Sequence, residues 1–219
     1  MVDCSLSPSV TLDDFPDRAT LKGALAALQR GPIRFQRDNI IACEGDTADY
    51  IFLVLSGVVR TCKTFENGGR TVVAFYLPGG LLGWDDEKCS LSVEAASEAV
   101  VLLIKRRGLM DLARQDTLVS NFLLSATRNE LRRTQEHSAL LSRDAKFRVQ
   151  TFLADLSSRT RNTEYVDLPM SHKDIADYLG LTIETLSRTI TKLERSGAIA
   201  RSSYKRLSLN HAALVRETV

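Results

Sequence analysis

No stretch of the 219-residue chain approaches the apolar length needed to cross a bilayer. The opening, MVDCSLSPSV, has neither the basic region nor the apolar stretch of a secretory leader. A cytoplasmic protein without a membrane partner is therefore expected. Phosphate-binding loops, nucleophile–base motifs and metal-ligand spacings are also missing, so no enzymatic activity is expected. Glu94 and Glu98 are four apart, but they fall in a strand-and-turn region where solvated carboxylates are the expectation. The four cysteines, Cys4, Cys43, Cys62 and Cys89, are widely spaced, with no pair at the short separation typical of zinc or iron–sulfur ligation. In a reducing compartment they read as small apolar residues or ordinary thiols. Cys4 and Cys89, in polar surroundings, are the better candidates for a reactive thiol.

What remains is the composition of a soluble globular protein, 44% hydrophobic and 26% charged, long enough for two domains with separate cores. A net charge of +2 is too small to imply a nucleic-acid partner by itself. Its distribution agrees with one: from Arg143 onward there are 13 Lys+Arg against 9 Asp+Glu.

The segment MSHKDIADYLGLTIETLSRTITKLERSG, Met170 to Gly197, carries the most information. Ile175, Ala176 and Leu179 share one face at helical spacing after Ser171, a residue suited to cap a helix start. Gly180 suits the left-handed conformation of a sharp turn. Thr182 then caps a second helix with Leu186, Ile190 and Leu193 as its buried stripe. Glu184, Thr185, Ser187, Arg188 and Thr191 occupy the opposite side, and Gly197 closes the helix. Short hydrogen-bonding side chains around an arginine suit the major groove, where each base pair presents a distinct donor and acceptor pattern. A solvated surface helix is the alternative, but the preceding helix and the basic hairpin that follows favour DNA. That hairpin is formed by Ile199–Arg201 and Arg206–Leu209 around a tip at Ser202–Lys205; upstream, Tyr165–Leu168 alternates in the strand manner before Pro169. Ser171, Thr182, Thr185, Thr191, Lys192, Arg201 and Lys205 are the candidate phosphate contacts, as is Arg206; solvated hairpin charge is the alternative for one or two of Arg201, Lys205 and Arg206.

Upstream, Thr20–Gln29 reads as a short amphipathic helix ended by Gly31-Pro32. Short β-rich runs follow at Ile33–Phe35, Asn39–Cys43, Tyr50–Leu55, Val58–Lys63, Thr71–Tyr76 and Val100–Ile104, divided by glycine-containing turns as in a small barrel or sandwich. Thr71–Tyr76 alternates poorly, which fits burial on both sides. Arg107 to about Leu141 reads as a short helix and then a long one. A heptad seam runs through Leu124, Thr127, Leu131, Thr134, Ser138 and Leu141. Either this seam pairs two subunits, or the long helix packs on its own β-domain through Phe122, Leu123 and Leu124. Ser142-Arg143-Asp144 marks a hinge before a helix from Ala145 to Ser158 with Phe147, Phe152, Leu153 and Leu156 as core.

EGDTADYIFLVLSGVVR followed by YLPGGLLGW strongly resembles the β-roll of cyclic-nucleotide-binding domains, with Gly45, Asp46, Tyr50, Ser56 and Gly57 carrying the likeness. Together with the carboxy-terminal helix pair it resembles the CRP/FNR superfamily of bacterial transcription regulators over residues 20–215, and SGVVRTCK, AFYLPGGLLGW and SVEAAS resemble its FixK branch. The resemblance implies an α+β chain: a β-roll domain over 1–106, a short helix and a long dimerisation helix over 107–142, and a winged helix-turn-helix domain over 143–219. It implies a homodimer, RNA polymerase as a partner, and activation of genes for low-oxygen or nitrogen-oxide metabolism. The family's Glu-x-x-Ser-Arg pattern matches Glu184, Ser187 and Arg188, implying a TTGAT-type inverted repeat with halves roughly 34 Å apart. Arg188 would pair with guanine, Glu184 accept from a cytosine amino group and Ser187 approach thymine. Cyclic AMP is not expected, because the region matching the family's phosphate pocket, Gly83–Ser92, has no arginine and carries Asp85, Asp86 and Glu87. The amino-terminal cysteine cluster of the oxygen-sensing members is absent, so no iron–sulfur cluster is expected either. No cofactor is expected overall; the alternative is a sensor of the same superfamily gated by haem, nitric oxide or a small organic effector. Of the three histidines, His172 and His211 belong to the DNA-binding region, and His137, near the long helix, reads as an ordinary helix-surface residue unless it ligates haem.

Overall fold

The computed structural model describes residues 28–85, 87–160, 165–203 and 206–210. Its strands are β1 (Gln29–Phe35), β2 (Ile40–Ala42), β3 (Tyr50–Ser56), β4 (Val59–Thr64), β5 (Arg70–Tyr76), β6 (Leu81–Leu82), β7 (Ser92–Ala95) and β8 (Ala99–Lys105). Helices α1 (Arg106–Gln115), α2 (Thr117–Leu140) and α3 (Ala145–Thr160) come next, then β9 (Tyr165–Asp167), α4 (His172–Tyr178), α5 (Ile183–Arg195), β10 (Ile199–Ser203) and β11 (Arg206–Leu209). Two units divide within α2, one reaching Leu131 and the other starting at Arg132. The Ser142-Arg143-Asp144 segment, read as a hinge, is a turn and bend inside the second unit.

In the first unit two four-stranded sheets, ordered β1-β8-β3-β6 and β2-β7-β4-β5, form the β-roll. Strand side chains alternate between faces, and β3 spends both faces on apolar packing. Phe52 and Val54 join Val59, Ala74, Tyr76, Leu82, Val93, Ala95, Ala99 and Val101 in one cluster. Ile51 and Leu53 join Leu102, Ile104, Leu109 of α1, and Val119 and Phe122 of α2 in a second. Unbroken apolar runs in β3 and β8 follow from this double burial. On β5 the same holds only at its end, where Ala74, Phe75 and Tyr76 are all buried.

Three expectations change here. Of the segment expected as the first helix, residues 20–27 lie outside the described residues; Leu28 is in a turn and Gln29 opens β1 rather than ending a helix. Gly31 and Pro32 sit inside that strand, at a register shift against β8. Proline is tolerated there because β1 is an edge strand, with no partner on its far side among the described residues. Glu94 is not solvated. Its side chain is 14% exposed and its Oε2 accepts from Nε and Nη2 of Arg60 at 2.9 and 2.7 Å, with Arg70 at 3.2 Å. It is a counter-ion for a buried arginine, whereas Glu98 is solvated as expected, at 63% exposed.

Gly57, between β3 and β4, has φ +74°, and a Cβ there would lie 2.0 Å from the Glu98 carbonyl oxygen and 2.7 Å from Ala99 Cα. Both obstacles are backbone and cannot swing aside. Gly57→Ala is expected to cost about 3 kcal/mol, from the left-handed conformation plus the clash. Urea unfolding checks this, and a loss below about 1 kcal/mol, the scale of a tolerated glycine replacement, would contradict it.

The second unit packs α3 against α5 and β9, with Phe147, Phe152, Leu153 and Leu156 buried as expected. Its small sheet runs β10-β11-β9 and forms the wing. Asp155 and Arg159 form an ion pair at 3.0 Å with both side chains 8% exposed. Burial pushes the Asp155 carboxyl up from 3.8 to about 6, against the opposing pull of Arg159 and Arg133. Between those values the folded chain holds a proton that the unfolded chain has lost. Acidification through this window therefore favours the fold, and raising the pH through about 6 removes that stabilisation. From pH 7 to pH 5 the gain through this group is about 1 kcal/mol. Asp155→Asn mimics the neutral acid, so urea unfolding at the two pH values should show the variant lacking this gain. Equal responses of both proteins would contradict it.

Candidate nucleic-acid interface

Ser171 caps α4 with a reciprocal box. Its Oγ accepts from the Asp174 backbone N–H at 3.0 Å, and the Asp174 carboxylate accepts from the Ser171 backbone N–H. Ile175, Ala176 and Leu179 are buried beneath it. Gly180, at φ +60°, then reverses the chain. Thr182 caps α5 by accepting from the Thr185 N–H at 3.1 Å. Leu186, Ile190 and Leu193 are 1%, 3% and 0% exposed, so the stripe predicted from spacing is the face α5 buries.

The other face is what the unit presents. Glu184, Ser187, Arg188 and Lys192 are exposed, with Thr185 and Thr191 half-buried between them. Glu184 lies in the first turn, where a hydrogen bond from its own backbone N–H, helped by Thr182 and Arg188, holds its carboxyl below the usual range. At neutral pH it is an acceptor only. Arg188 follows one turn later on the same side. Three α5 residues of different hydrogen-bonding character therefore point away from the core: an anion, a hydroxyl and a planar cation.

The candidate phosphate contacts divide. Lys192 is exposed on α5. The hydroxyl protons of Ser171, Thr182 and Thr191 are directed at Asp174 Oδ2, Thr185 Oγ1 and the Ser187 carbonyl respectively. Arg201 donates from Nε to Glu194 at 2.8 Å with its side chain 40% exposed. Arg206 makes a two-pronged pair with Asp167 at 2.7 and 3.0 Å and lies 4.4 Å over the Tyr165 ring. That geometry ties β11 to β9 and leaves Arg206 a strap of the wing. Lys205 is outside the described residues.

Lys146 was missed. It lines a cleft of about 400 Å³ together with Asp144, Thr185, Arg188 and Lys192. It belongs to the first turn of α3, far from α5 in sequence, so no local pattern flags it.

In the region matched to the family's phosphate pocket, Glu87, Lys88 and Ser90 are exposed, but Cys89 is not. Cys89 is 7% exposed, its N–H donates to the Asp46 carbonyl, and its own carbonyl accepts from Gly45. The reactive-thiol expectation fails at Cys89. Burial, then the carboxylates of Asp85 and Asp46, push its thiol up and away from the nucleophilic thiolate, with Arg106 opposing. Cys43 is the exposed cysteine among the described residues, and Cys4 lies outside them. Trp84 packs on the cluster of Ile51 and Phe122. His137, expected on a helix surface, is instead stacked on Tyr178, while His211 lies outside the described residues. Along α2, Leu124, Thr127, Leu131, Thr134 and Ser138 are exposed, as is Leu141 just beyond its end, while Phe122 is buried on the β-roll. Of the residues read as packing on the β-domain, Phe122 and the partly buried Leu123 do so, whereas Leu124 is exposed with the rest of the seam. Among the described residues no helix is long and apolar enough to span a membrane, and no group of three or more His, Cys, Asp or Glu could hold a metal.

Comparison with known proteins agrees with this architecture. Residues 32–116 match the model of the cyclic nucleotide-binding domain, and residues 147–217 that of the Crp-like helix-turn-helix domain. The nitrogen fixation regulation protein FixK of Azorhizobium caulinodans is 39% identical over 91% of this chain and 84% of its own length. The transcriptional activator protein Anr of Pseudomonas aeruginosa is 31% identical over 90% and 84%. The solved structure of FixK2 from Bradyrhizobium japonicum superposes with a TM-score of 0.81 at 35% identity, over 85% of this chain and 96% of that one. The relatives are transcription regulators, and a helix pair whose second helix turns a polar face outward is the part of the fold that meets DNA. The chain belongs to the CRP/FNR family of DNA-binding transcription regulators and is FixK-like within it.

Proposed function

We propose that the chain is a homodimeric activator that reads a TTGAT-type inverted repeat, without cyclic AMP, an iron–sulfur cluster or another cofactor. The single observation that carries this reading is the face of α5, where Glu184, Ser187 and Arg188 are exposed together over a buried Leu186, Ile190 and Leu193. Arg188 meets the two acceptors of guanine, Glu184 accepts from a cytosine amino group and Ser187 reaches thymine. Lys146, Lys192, Arg201 and Lys205 serve phosphates. For Ser171, Thr182 and Thr191 to do the same, their hydroxyls would have to turn from the internal acceptors they now face. The Thr185 hydroxyl, which accepts from Thr182, keeps its own proton to donate. Two subunits pair through Leu124, Thr127, Leu131, Thr134, Ser138 and Leu141, supported by the exposure of all six.

Ligand independence is supported by Cys89, which is buried between backbone partners and beside the Asp85 and Asp46 carboxylates, a poor place for a phosphate. The relatives include an activator and nitrogen fixation regulators, which supports an activating role; RNA polymerase as its partner and low-oxygen or nitrogen-oxide metabolism as its field follow from the family resemblance alone. Such a protein works in the cytoplasm. A mobility-shift titration of purified protein on the repeat, with and without reductant, tests the reading. Tight binding with no added ligand supports it. Binding only after cyclic AMP, haem or a change of oxidation state would replace it with a gated sensor.

A further inference from the structure

We propose that His137 is a positioning residue, clamping the turn of the helix-turn-helix onto the last turns of α2 so that the reading helix keeps a fixed angle to the open seam. The inference rests on the dimeric reading above and goes beyond it. Helix α4 ends at Tyr178, and helix ends leave carbonyls without intrahelical partners. Three consecutive carbonyls here are met by side chains from two other helices. His137 Nε2 lies 2.8 Å from the Tyr178 oxygen. Arg148 of α3 donates from Nη1 to Leu179 and Gly180 at 2.9 and 3.3 Å.

The imidazole does a second thing. It stacks on the Tyr178 ring with centroids 4.1 Å apart and planes within 5°. Tyr178 in turn tilts against Phe152 of α3 at 5.8 Å, so the ring is held between two helices. Burial lowers the His137 pKa, although the hydrogen bond to Tyr178 opposes this. A neutral ring bonded to a carbonyl carries its proton on Nε2.

Arg133, one turn earlier, is 5% exposed and near enough to Asp155 to favour its carboxylate, while Leu140 is 2% exposed. Arg133, His137 and Leu140 therefore form one face of these turns, fastened to α3 and α4. Thr134, Ser138 and Leu141 remain exposed, as candidate contacts to a second subunit. A rigid stretch of helix gripped on one side by the reading unit and on the other by its twin fixes the distance between two copies of α5. Each added base pair displaces a half-site by roughly 3.4 Å and rotates it by roughly 34°. A fixed pair of reading helices follows neither change.

The test measures full-length wild type, His137→Ala and His137→Phe on the inverted repeat, on repeats one base pair longer and shorter, and on a single half-site. Circular dichroism and sedimentation verify fold and dimer. Wild type should prefer the correct spacing by at least about 30-fold, and His137→Ala should narrow this about tenfold by losing both stack and hydrogen bond. His137→Phe, keeping the stack alone, should fall between. Affinity for the single half-site should be unchanged in all three. An unchanged spacing ratio in His137→Ala, or equal losses on single and paired sites, overturns the clamp and leaves the dimeric reading standing. Failure of wild type to prefer any paired site removes both.

Discussion

Arg188→Ala is expected to weaken binding to the preferred inverted repeat by about 2–6 kcal/mol, from about 1–3 kcal/mol at each of two half-sites. The same variant should lose much less on a repeat whose contacted guanine has been changed, because wild type has already lost that contact there. The reason is geometric. A guanidinium offers two parallel donors to the two acceptors of one guanine edge, and no other base pair presents that arrangement in the major groove. Arg188 is suited to this because it is exposed while its helical neighbours Leu186 and Ile190 anchor α5 in the core. Lys192→Ala should behave differently, weakening all duplexes alike and flattening the salt dependence by about one counterion per subunit. Titrations on matched and base-changed operators at two salt concentrations separate the two. Equal losses for Arg188→Ala on every duplex would demote it to a phosphate contact.

Leu124→Glu with Leu131→Glu is expected to raise the dimer dissociation constant by at least about 10³-fold, from four leucines contributing about 1 kcal/mol each plus carboxylates placed face to face. Leu124 and Leu131 are 57% and 58% exposed, an unusual state for leucines on a helix whose Phe122 and Val119 are 1% exposed. The remaining seam members are polar or peripheral, so these two leucines hold most of the apolar area. Sedimentation velocity should show monomer at concentrations where wild type is dimeric, with the far-ultraviolet spectrum unchanged. Paired-site binding should then fall to that of a single half-site. Persistence of the dimer would move the interface elsewhere.

Legibility followed sequence distance. The helix-turn-helix was readable because it is contiguous: cap, stripe, glycine turn, cap and stripe lie within one short segment, each fixed by local chemistry. Both N-caps and all three stripe residues of α5 stand where spacing put them. Readings failed where partners come from afar. β6 and β7 are too short, and β7 too rich in small and polar residues, to announce themselves. They exist because β3 and β4 offer edges to pair with. β1 violates local preference with Gly31-Pro32, and its place at a sheet edge makes that tolerable. Glu94 looked like a surface carboxylate because Arg60 and Arg70, which bury it, are far away in the chain. Cys89 looked polar because its neighbours in sequence are polar, yet backbone bonds to Gly45 and Asp46 pull it inward. Lys146 carries no local signal, because tertiary packing of α3 is what brings it to Arg188 and Lys192.

The most direct measurement is selection of bound sequences from a random duplex pool by the purified full-length protein, with no ligand added. If two copies of α5 read DNA through Glu184, Ser187 and Arg188, the enriched sequences carry two TTGAT-like halves, inverted, at one spacing. Enrichment of a lone or directly repeated motif, or of no motif at all, would contradict that account.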